Sequence, residues 1–385
     1  MESQHRIRSF VAVALSVAAL ALAVDAHSDA QGDSSGDGDV LAIGDWGDLA
    51  FVDPNAKNTT VKFLNASTGK VITQLPDDDG GLHGPNGILF DKGRMIVANQ
   101  NASTPFNGAV LQFGRDIPPG TPIVPRDDPN APYAPRGIVM LHQRDGSRLL
   151  FIADMGDVPS DTGPVEGKLL VFRITDNQVK FRGNLNPNLN APGTIAPEFH
   201  PRGIVLGPDG YLYVSYRFLP NPCGGGVARF DPVKLVFKDI VLQNSIDCTQ
   251  NRNNLHRPEG LVFAPNGDLF ITSFRADPSD VDRILIVRAE ERKSGRFRVD
   301  PFHIELDAPN ANPQTSAQAI VFGPGGYLYA PILKTGEVRK YNVVTGGYWT
   351  FAPAGTLKAP QYLSFTRTNP ATLGYDDNED GDSQH

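Results

Sequence analysis

The sequence predicts an all-β fold, a single six-bladed β-propeller. Three observations lead to this prediction. A hairpin unit repeats along the chain, the units recur at intervals of roughly 40 to 65 residues, and the chain ends carry the two halves of one more unit. Further strand-like stretches follow the hairpins, and units of four strands at such a period are typical of propeller blades.

Each unit opens with an apolar strand, which Pro-X-Gly introduces in four cases. These first strands read PNGILF at 85–90, PRGIVM at 135–140, PRGIVL at 201–206, PEGLVF at 258–263 and, as a variant, AQAIVF at 317–322. A second apolar strand follows each of them. Three of the connecting turns read GPDG, APNG and GPGG, in which Pro presets one position and Gly or Asn accepts the positive φ of another. The repeated unit therefore predicts an antiparallel hairpin.

The two chain ends predict how the ring closes. The stretch VLAIGD at 40–45 matches a second strand that has no first strand before it. The stretch APQYLSF at 359–365 matches a first strand at the other end. Joining them makes a sixth blade and pairs two edges that would otherwise stay open. A seventh blade would need a unit hidden in the longer connections.

The first residues predict export. Arg6 and Arg8 precede an apolar run that extends from Ser9 to Val24, the pattern of a signal peptide. The run is shorter than the about 20 residues of a comfortable membrane span, and an uncleaved anchor is the alternative. We expect a secreted monomer with no membrane span after cleavage. The predicted organisation is a signal peptide at 1–26, a flexible linker rich in Asp, Gly and Ser at 27–39, the propeller at 40–375 and a disordered acidic tail at 376–385.

Charge and cysteine content narrow the class of protein further. The formal net charge of −8 argues against a nucleic-acid partner. The two cysteines, Cys223 and Cys248, predict a disulfide in an oxidising compartment. Asn58, Asn65 and Asn101 each begin an N-glycosylation acceptor pattern, which matters if the source is eukaryotic.

The geometry expected for the blades predicts where a functional site would lie. The residue after Pro, or its equivalent, enters the innermost strand at the mouth of the central channel, where loops from every blade converge. These six mouth residues are all polar, although their neighbours are apolar: Asn86, Arg136, Arg202, Glu259, Gln318 and Gln361. Second strands end in Asp45, Asn99, Asp154 and Ser273, whose distance from the mouth the sequence leaves open. Polar residues are also expected wherever a propeller channel is merely wet.

The repeats resemble NHL-type propellers and the related gluconolactonase/regucalcin family. The Pro-Asn-Gly-Ile, Pro-Arg-Gly-Ile and Pro-Glu-Gly-Leu motifs carry this resemblance over roughly residues 40 to 375. It implies a metal-dependent hydrolase of lactones or esters that acts at the channel mouth. On this resemblance Asn86, Glu259, Asp154 and Asp45 would hold a divalent cation such as calcium. Glu259 and Asp154, with Arg136 and Arg202, would form the catalytic set.

Two arginines favour a different reading of the same mouth. Arg136 and Arg202 stand where the family has neutral or acidic ligands, and guanidinium groups repel a cation. They are suited instead to clamp a carboxylate, sulfate or phosphate. Asp45 and Asp154 can equally be turn caps. The alternative is a non-catalytic extracellular propeller that recognises a small anion or a partner protein.

Three histidines suggest a second metal hypothesis. His83, His200 and His256 each precede a mouth residue by two or three positions, in three different blades. Three imidazoles with an open fourth position form a catalytic zinc arrangement, and the peptide-amidating lyase propellers resemble this. Histidines packed at the rim are the alternative. The chain has no GxSxG elbow, HExxH motif, P-loop or dinucleotide fingerprint.

Overall fold

The structure is a computed structural model that describes residues 38–47, 59–75, 79–101, 107–156, 166–176, 178–187, 199–218, 223–244 and 254–377. Within these residues the chain forms six antiparallel sheets of four strands each. The sheets follow one another around a ring, which confirms the predicted six-bladed β-propeller. A short helix, Ala289–Lys293, and two 3₁₀ turns, Asp79–Gly81 and Pro324–Gly326, lie in connections.

The strands are numbered in chain order. Blade 1 contains β1 (Val40–Asp45), β2 (Thr60–Asn65), β3 (Val71–Gln74) and β24 (Pro360–Phe365). Blade 2 contains β4 (Pro85–Asp91), β5 (Arg94–Asn99), β6 (Ala109–Gly114) and β7 (Ile117–Val124). Blade 3 contains β8 (Pro135–His142), β9 (Arg148–Asp154), β10 (Lys168–Ile174) and β11 (Val179–Asn184).

The other three blades repeat this plan. Blade 4 contains β12 (His200–Leu206), β13 (Leu212–Arg217), β14 (Gly225–Asp231) and β15 (Val236–Gln243). Blade 5 contains β16 (Arg257–Phe263), β17 (Leu269–Phe274), β18 (Arg283–Val287) and β19 (Ile304–Glu305). Blade 6 contains β20 (Val321–Phe322), β21 (Leu328–Ile332), β22 (Glu337–Tyr341) and β23 (Tyr348–Ala352).

Blade 1 closes the ring in the predicted way. Its innermost strand is β24, from the end of the propeller, and β24 pairs antiparallel with β1 from its beginning. The register places Leu41 opposite Phe365 and Ile43 opposite Leu363. Hydrogen bonds along this pair satisfy two strand edges that would otherwise remain open.

Six hydrophobic clusters hold the blades together, and each draws its residues from two neighbouring blades. One cluster, for example, joins Phe63 of blade 1 to Phe113 of blade 2, both fully buried. The others follow in order around the ring, and the last joins blade 6 to blade 1. The apolar faces of adjacent sheets thus cover one another, which explains why both faces of each blade are apolar.

The glycine of the Pro-X-Gly motif lets the innermost strands converge on the channel. A Cβ on Gly87 would lie 2.5 Å from the carbonyl oxygen of Arg136, and one on Gly203 would lie 2.6 Å from that of Glu259. Gly137 faces Arg202 in the same way at 2.8 Å. No side chain fits at these positions without moving the next blade, so the repeated glycine has a steric cause.

The channel is closed at the end opposite the mouth. Leu373, in the segment after β24, packs against four of the six clusters. Two backbone hydrogen bonds of 2.9 Å hold this segment, from Met140 N to Pro370 O and from Leu206 N to Ala371 O. The cavity between Leu373 and the inner strands measures about 30 Å³, room for one or two waters. This segment therefore covers the end of the channel opposite the mouth.

Several predicted features lie outside the described residues. These are the signal peptide at 1–26, most of the linker at 27–39, Asn58, Cys248 and most of the acidic tail. Cys223 is buried, and its disulfide with Cys248 stays a prediction. Asp39, assigned to the linker by sequence, is buried and accepts a 2.6 Å hydrogen bond from the Tyr375 hydroxyl. Among the described residues, no helix has the length and apolarity to cross a bilayer.

Candidate functional site

The polar mouth residues occupy equivalent places at one end of the channel. In four blades the strand register shifts at the Pro-X-Gly motif, between Pro and the residue three positions on. Such a shift marks a bulge, which redirects side chains. Five of the six mouth residues are buried, and Arg136 is partly exposed.

A second ring of side chains surrounds the mouth residues. Each of its members follows the second-strand residue that pairs with the motif Pro, and they differ in chemistry from blade to blade: Trp46, Gln100, Met155, Arg217 and Phe274. Four of them, all except Phe274, have a contact with a mouth residue in the structure. Asn86 Nδ2 donates to Gln100 Oε1 at 2.9 Å, and Arg136 Nη2 lies 3.6 Å from Met155 Sδ.

Glu259 lies between two guanidinium groups. Arg217 Nη2 forms a close ion pair with Glu259 Oε1, and Arg202 Nε lies 3.7 Å from the same oxygen. The side chains of Glu259 and Arg202 are 1% and 6% exposed. Arg217 also lies over the Phe274 ring, 4.7 Å from its centroid. This cluster is shielded from water, so its electrostatic interactions are stronger than at a surface.

Arg136 adds a positive charge next to this cluster. Its guanidinium lies over the Trp46 ring, 5.4 Å from the centroid, and it forms no ion pair with any described carboxylate. Burial, together with repulsion from Arg202, lowers the pKa of Arg136 to about 10. Burial likewise lowers the pKa of Arg217 to about 9, against the attraction of Glu259. At neutral pH these groups remain charged.

Tyr362 separates the polar mouth from the apolar part of the channel. Its hydroxyl donates to the carbonyl oxygen of Arg202 at 3.3 Å, across the ring from blade 1 to blade 4. Burial raises its pKa, so the phenol stays neutral. Beyond it the channel is lined by apolar residues such as Ile88, Ile204 and Leu363. A ligand that enters from the mouth therefore meets charged groups first.

Three buried oxygens at the mouth have neither a hydrogen-bond donor nor an ion-pair partner among the described residues. They are Asn86 Oδ1, Gln318 Oε1 and Glu259 Oε2. A buried acceptor without a donor costs about 1–3 kcal/mol. Such atoms are expected where a ligand or ordered water completes the site.

Asp45 and Asp154 lie at the same end as the mouth, but their carboxylates bind backbone. Asp154 accepts hydrogen bonds from Tyr133 N at 2.8 Å and Ala134 N at 2.7 Å. Asp45 accepts from Ala359 N at 2.8 Å and lies 3.1 Å from Lys62 Nζ. Both aspartates fix the connection that leads into the innermost strand of their own blade, as a turn cap does.

The two other strand-end residues act in the same way. Asn99 accepts from His83 N at 2.7 Å, and Ser273 Oγ accepts from His256 N at 3.0 Å. The register explains this arrangement, because each strand-end residue pairs with the motif Pro or its equivalent. The four strand-end residues therefore lie close to the mouth, a distance that the sequence left open. Their side chains, however, face the connections between strands.

The three histidines have separate partners. His200 Nδ1 lies 2.7 Å from Met155 O, and His256 Nε2 lies 3.4 Å from Asp280 Oδ2. His83 Nδ1 lies 3.4 Å from Thr59 Oγ1. Across the described ranges, no group of three His, Cys, Asp or Glu side chains gathers closely enough to hold a metal ion.

The residues at the mouth do not fit a divalent cation. Calcium needs six to eight oxygen ligands. Glu259 offers a carboxylate, but Arg202 and Arg217 contact it and Arg136 lies near. Asp45 and Asp154 direct their oxygens at backbone N–H groups. We therefore derive no chemical step through a metal at this site.

Arg217 is the principal site residue that the sequence analysis missed. It ends an apolar strand, at the position that Trp46, Gln100, Met155 and Phe274 hold in other blades. A charged residue there, directly after LYVSY, is the signal that could have identified it. The equivalence becomes visible once the register of the hairpins is known.

Comparisons with known proteins give a likeness in structure alone. No family model and no curated protein matches the chain. A structure of a nidogen/laminin complex matches with a TM-score of 0.52 and 16% identity, over 85% of this chain and 98% of the other. A putative 6-phosphogluconolactonase from Bacteroides fragilis matches at 0.50 and 15%, over 87% and 99%.

The periplasmic gluconolactonase of Pseudomonas aeruginosa also matches, with a TM-score of 0.50 and 14% identity, over 85% of this chain and 98% of the other. Identities this low show the fold and not the activity. They confirm, for the fold, the predicted resemblance: the chain is a six-bladed propeller similar to structures of the gluconolactonase kind.

Proposed function

We propose that this protein binds a small anion at the mouth of its central channel. One observation carries the proposal: Arg202 and Arg217 share a single carboxylate, Glu259, and Arg136 adds a third positive charge beside them. Among the described residues this cluster has an excess of positive charge, and the side chains of Arg202, Arg217 and Glu259 are at most 10% exposed. Guanidinium groups match the geometry of carboxylate, sulfate and phosphate oxygens.

The setting of the site supports binding from outside the cell. The signal peptide predicted from the sequence would direct the protein to an extracytoplasmic compartment, and the mouth lies at the end of the channel opposite Leu373. The partner in this proposal is a small-molecule anion. In a wider form of the same proposal, the anion is a carboxylate of an extracellular partner protein.

Thermal unfolding in sulfate tests the proposal. At constant ionic strength, replacing chloride by sulfate should raise the unfolding midpoint, because a ligand at 100 times its Kd adds about 2.7 kcal/mol of stability. Arg202→Met should reduce this rise. Arg94→Met is the matched control, since Arg94 is exposed at the opposite end of blade 2. Equal responses in all three proteins would contradict the proposal.

Hydrolase or lyase activity on an anionic substrate is the second candidate. Glu259 favours it, because its Oε2 accepts no hydrogen bond from the described residues and a carboxylate beside a bound substrate suits a general base. Arg136 and Arg202 would then hold the substrate. Lactone or ester hydrolysis followed by pH-stat should depend on Glu259, and a Glu259→Gln variant with full activity would exclude this role.

The metal-dependent form of the hydrolase has its own test. Elemental analysis of the purified protein, prepared without chelator, should find no stoichiometric calcium or zinc if the arginines bind an anion. Close to one metal ion per chain would instead favour the metal-dependent hydrolase predicted from sequence. Calcium would indicate oxygen ligands, and zinc would indicate His83, His200 and His256.

A further inference from the structure

The charges and the unpaired oxygens at the mouth together restrict the chemistry of the ligand. Three guanidiniums face one carboxylate, which leaves a net charge of about +2 among the described residues of the cluster. This excess positive charge is distributed over two places in the cluster. Arg136 has no carboxylate partner, and Arg202 and Arg217 share Glu259. A single negative charge on the ligand would leave part of this excess uncompensated.

The unpaired oxygens require a different feature of the ligand. Asn86 Oδ1, Gln318 Oε1 and Glu259 Oε2 are acceptors, and no described group donates to them. Their residues are 0%, 7% and 1% exposed. An anion without hydrogen-bond donors leaves these acceptors unsatisfied. A ligand hydroxyl or N–H would satisfy them.

The charge balance decides between the two kinds of donor. An ammonium group would add positive charge beside three guanidiniums, at a cost that rises with burial. A hydroxyl donates without adding charge. From this we infer that the ligand is a small dianion that carries at least one hydroxyl group, such as a hydroxy-dicarboxylate or a phosphate monoester of a polyol. This inference rests on the anion site proposed above.

Calorimetric titration with matched ligands tests the inference. L-malate is a dianion with one hydroxyl, succinate is a dianion without one, and L-lactate has the hydroxyl and a single charge. Malate should bind at least about tenfold more tightly than either, because one buried hydrogen bond to a charged group changes affinity by about that factor. Glycerol 3-phosphate in the same titration distinguishes a phosphate from a dicarboxylate; tight binding of either one supports the inference.

Gln318→Leu separates the hydroxyl contact from the charge contacts. It removes an unpaired acceptor and leaves every charge in place, so malate affinity should fall while succinate affinity stays unchanged. Gln112→Leu, the same substitution in β6 of blade 2, is the control and should change neither. An unfolding midpoint measured for each variant detects a folding defect.

The outcomes distinguish the proposed anion site from the inference about the charge and the hydroxyl group of its ligand. If sulfate, succinate and malate bind equally well, the site binds anions but the inference on hydroxyl groups is wrong. If lactate binds as tightly as malate, the inference of two charges is wrong. If no anion binds, sulfate included, the proposed function itself fails.

Discussion

Replacing Glu259 by Gln isolates the charge balance of the mouth. The variant keeps the size of the side chain and removes the one carboxylate that Arg202 and Arg217 share. At 3.7 Å, the Arg202–Glu259 attraction amounts to about 4.5 kcal/mol at an effective dielectric constant of 20. Breaking a buried pair by removing one partner typically costs about 3–5 kcal/mol. We expect Glu259→Gln to lose a similar amount of unfolding free energy.

Sulfate should restore much of this loss. In the variant three guanidiniums remain without a described carboxylate, so an anion at the mouth compensates more charge than in the wild-type protein. The unfolding midpoint of Glu259→Gln should therefore rise more steeply with sulfate than that of the wild type. Denaturant or thermal unfolding at several sulfate concentrations, with ionic strength held constant by chloride, measures both effects.

Glu337→Gln is the matched control for this experiment. Glu337 is also buried, and its Oε1 accepts hydrogen bonds from Arg339 Nη2 at 2.6 Å and Nε at 2.9 Å. It lies on β22, away from the channel. Its loss should destabilise the protein without a stronger response to sulfate. The reasoning is refuted if Glu259→Gln unfolds at the wild-type midpoint, or if the two variants respond to sulfate alike.

Three further predictions concern the fold around the site. Gly203→Ala should lower the unfolding free energy by about 1–3 kcal/mol, because its Cβ would lie 2.6 Å from a carbonyl oxygen. Gly347→Ala, whose Cβ would have its nearest atom at 3.5 Å, should leave it unchanged, and equal unfolding free energies of the two variants would contradict this. Leu373→Ala should cost about 2 kcal/mol in the same assay if this residue seals the channel, and an unchanged midpoint would show that it does not. Burial lowers the pKa of His256, so the unfolded state takes up its proton first. Stability should therefore fall as the pH falls below about 6.5, and His256→Gln should flatten that dependence.

The fold was predictable because the sequence directly shows its strongest steric constraint, the repeated glycine of the innermost strands. The innermost strands approach so closely that Gly87, Gly137 and Gly203 have no room for a side chain, and four of the six blades carry this glycine. The closing blade was predictable for a related reason. Its two halves keep the pattern of a first and a second strand although they lie at opposite ends of the chain, and β24 pairs with β1 as expected.

The site was predictable only in part, because the repeated motif does not determine in which direction each side chain points. The positions of Arg136, Arg202 and Glu259 follow from the repeat. The role of Asp154 does not, since its carboxylate binds Tyr133 N and Ala134 N, which belong to the connection that leads into β8 of the same blade. Arg217 was missed because the motif defines one ring of mouth residues, whereas the structure has two.

The cluster at the mouth is better explained by binding than by stability. An ion pair that only supported the fold would balance its charges, as Glu337 and Arg339 do within blade 6. Here burial and mutual repulsion lower the pKa values of Arg136 and Arg217, which means that keeping both charged destabilises the folded protein. Six inter-blade clusters supply the stability that tolerates this arrangement. Functional sites commonly carry such a cost, and an anion that compensates the excess charge would turn it into binding affinity.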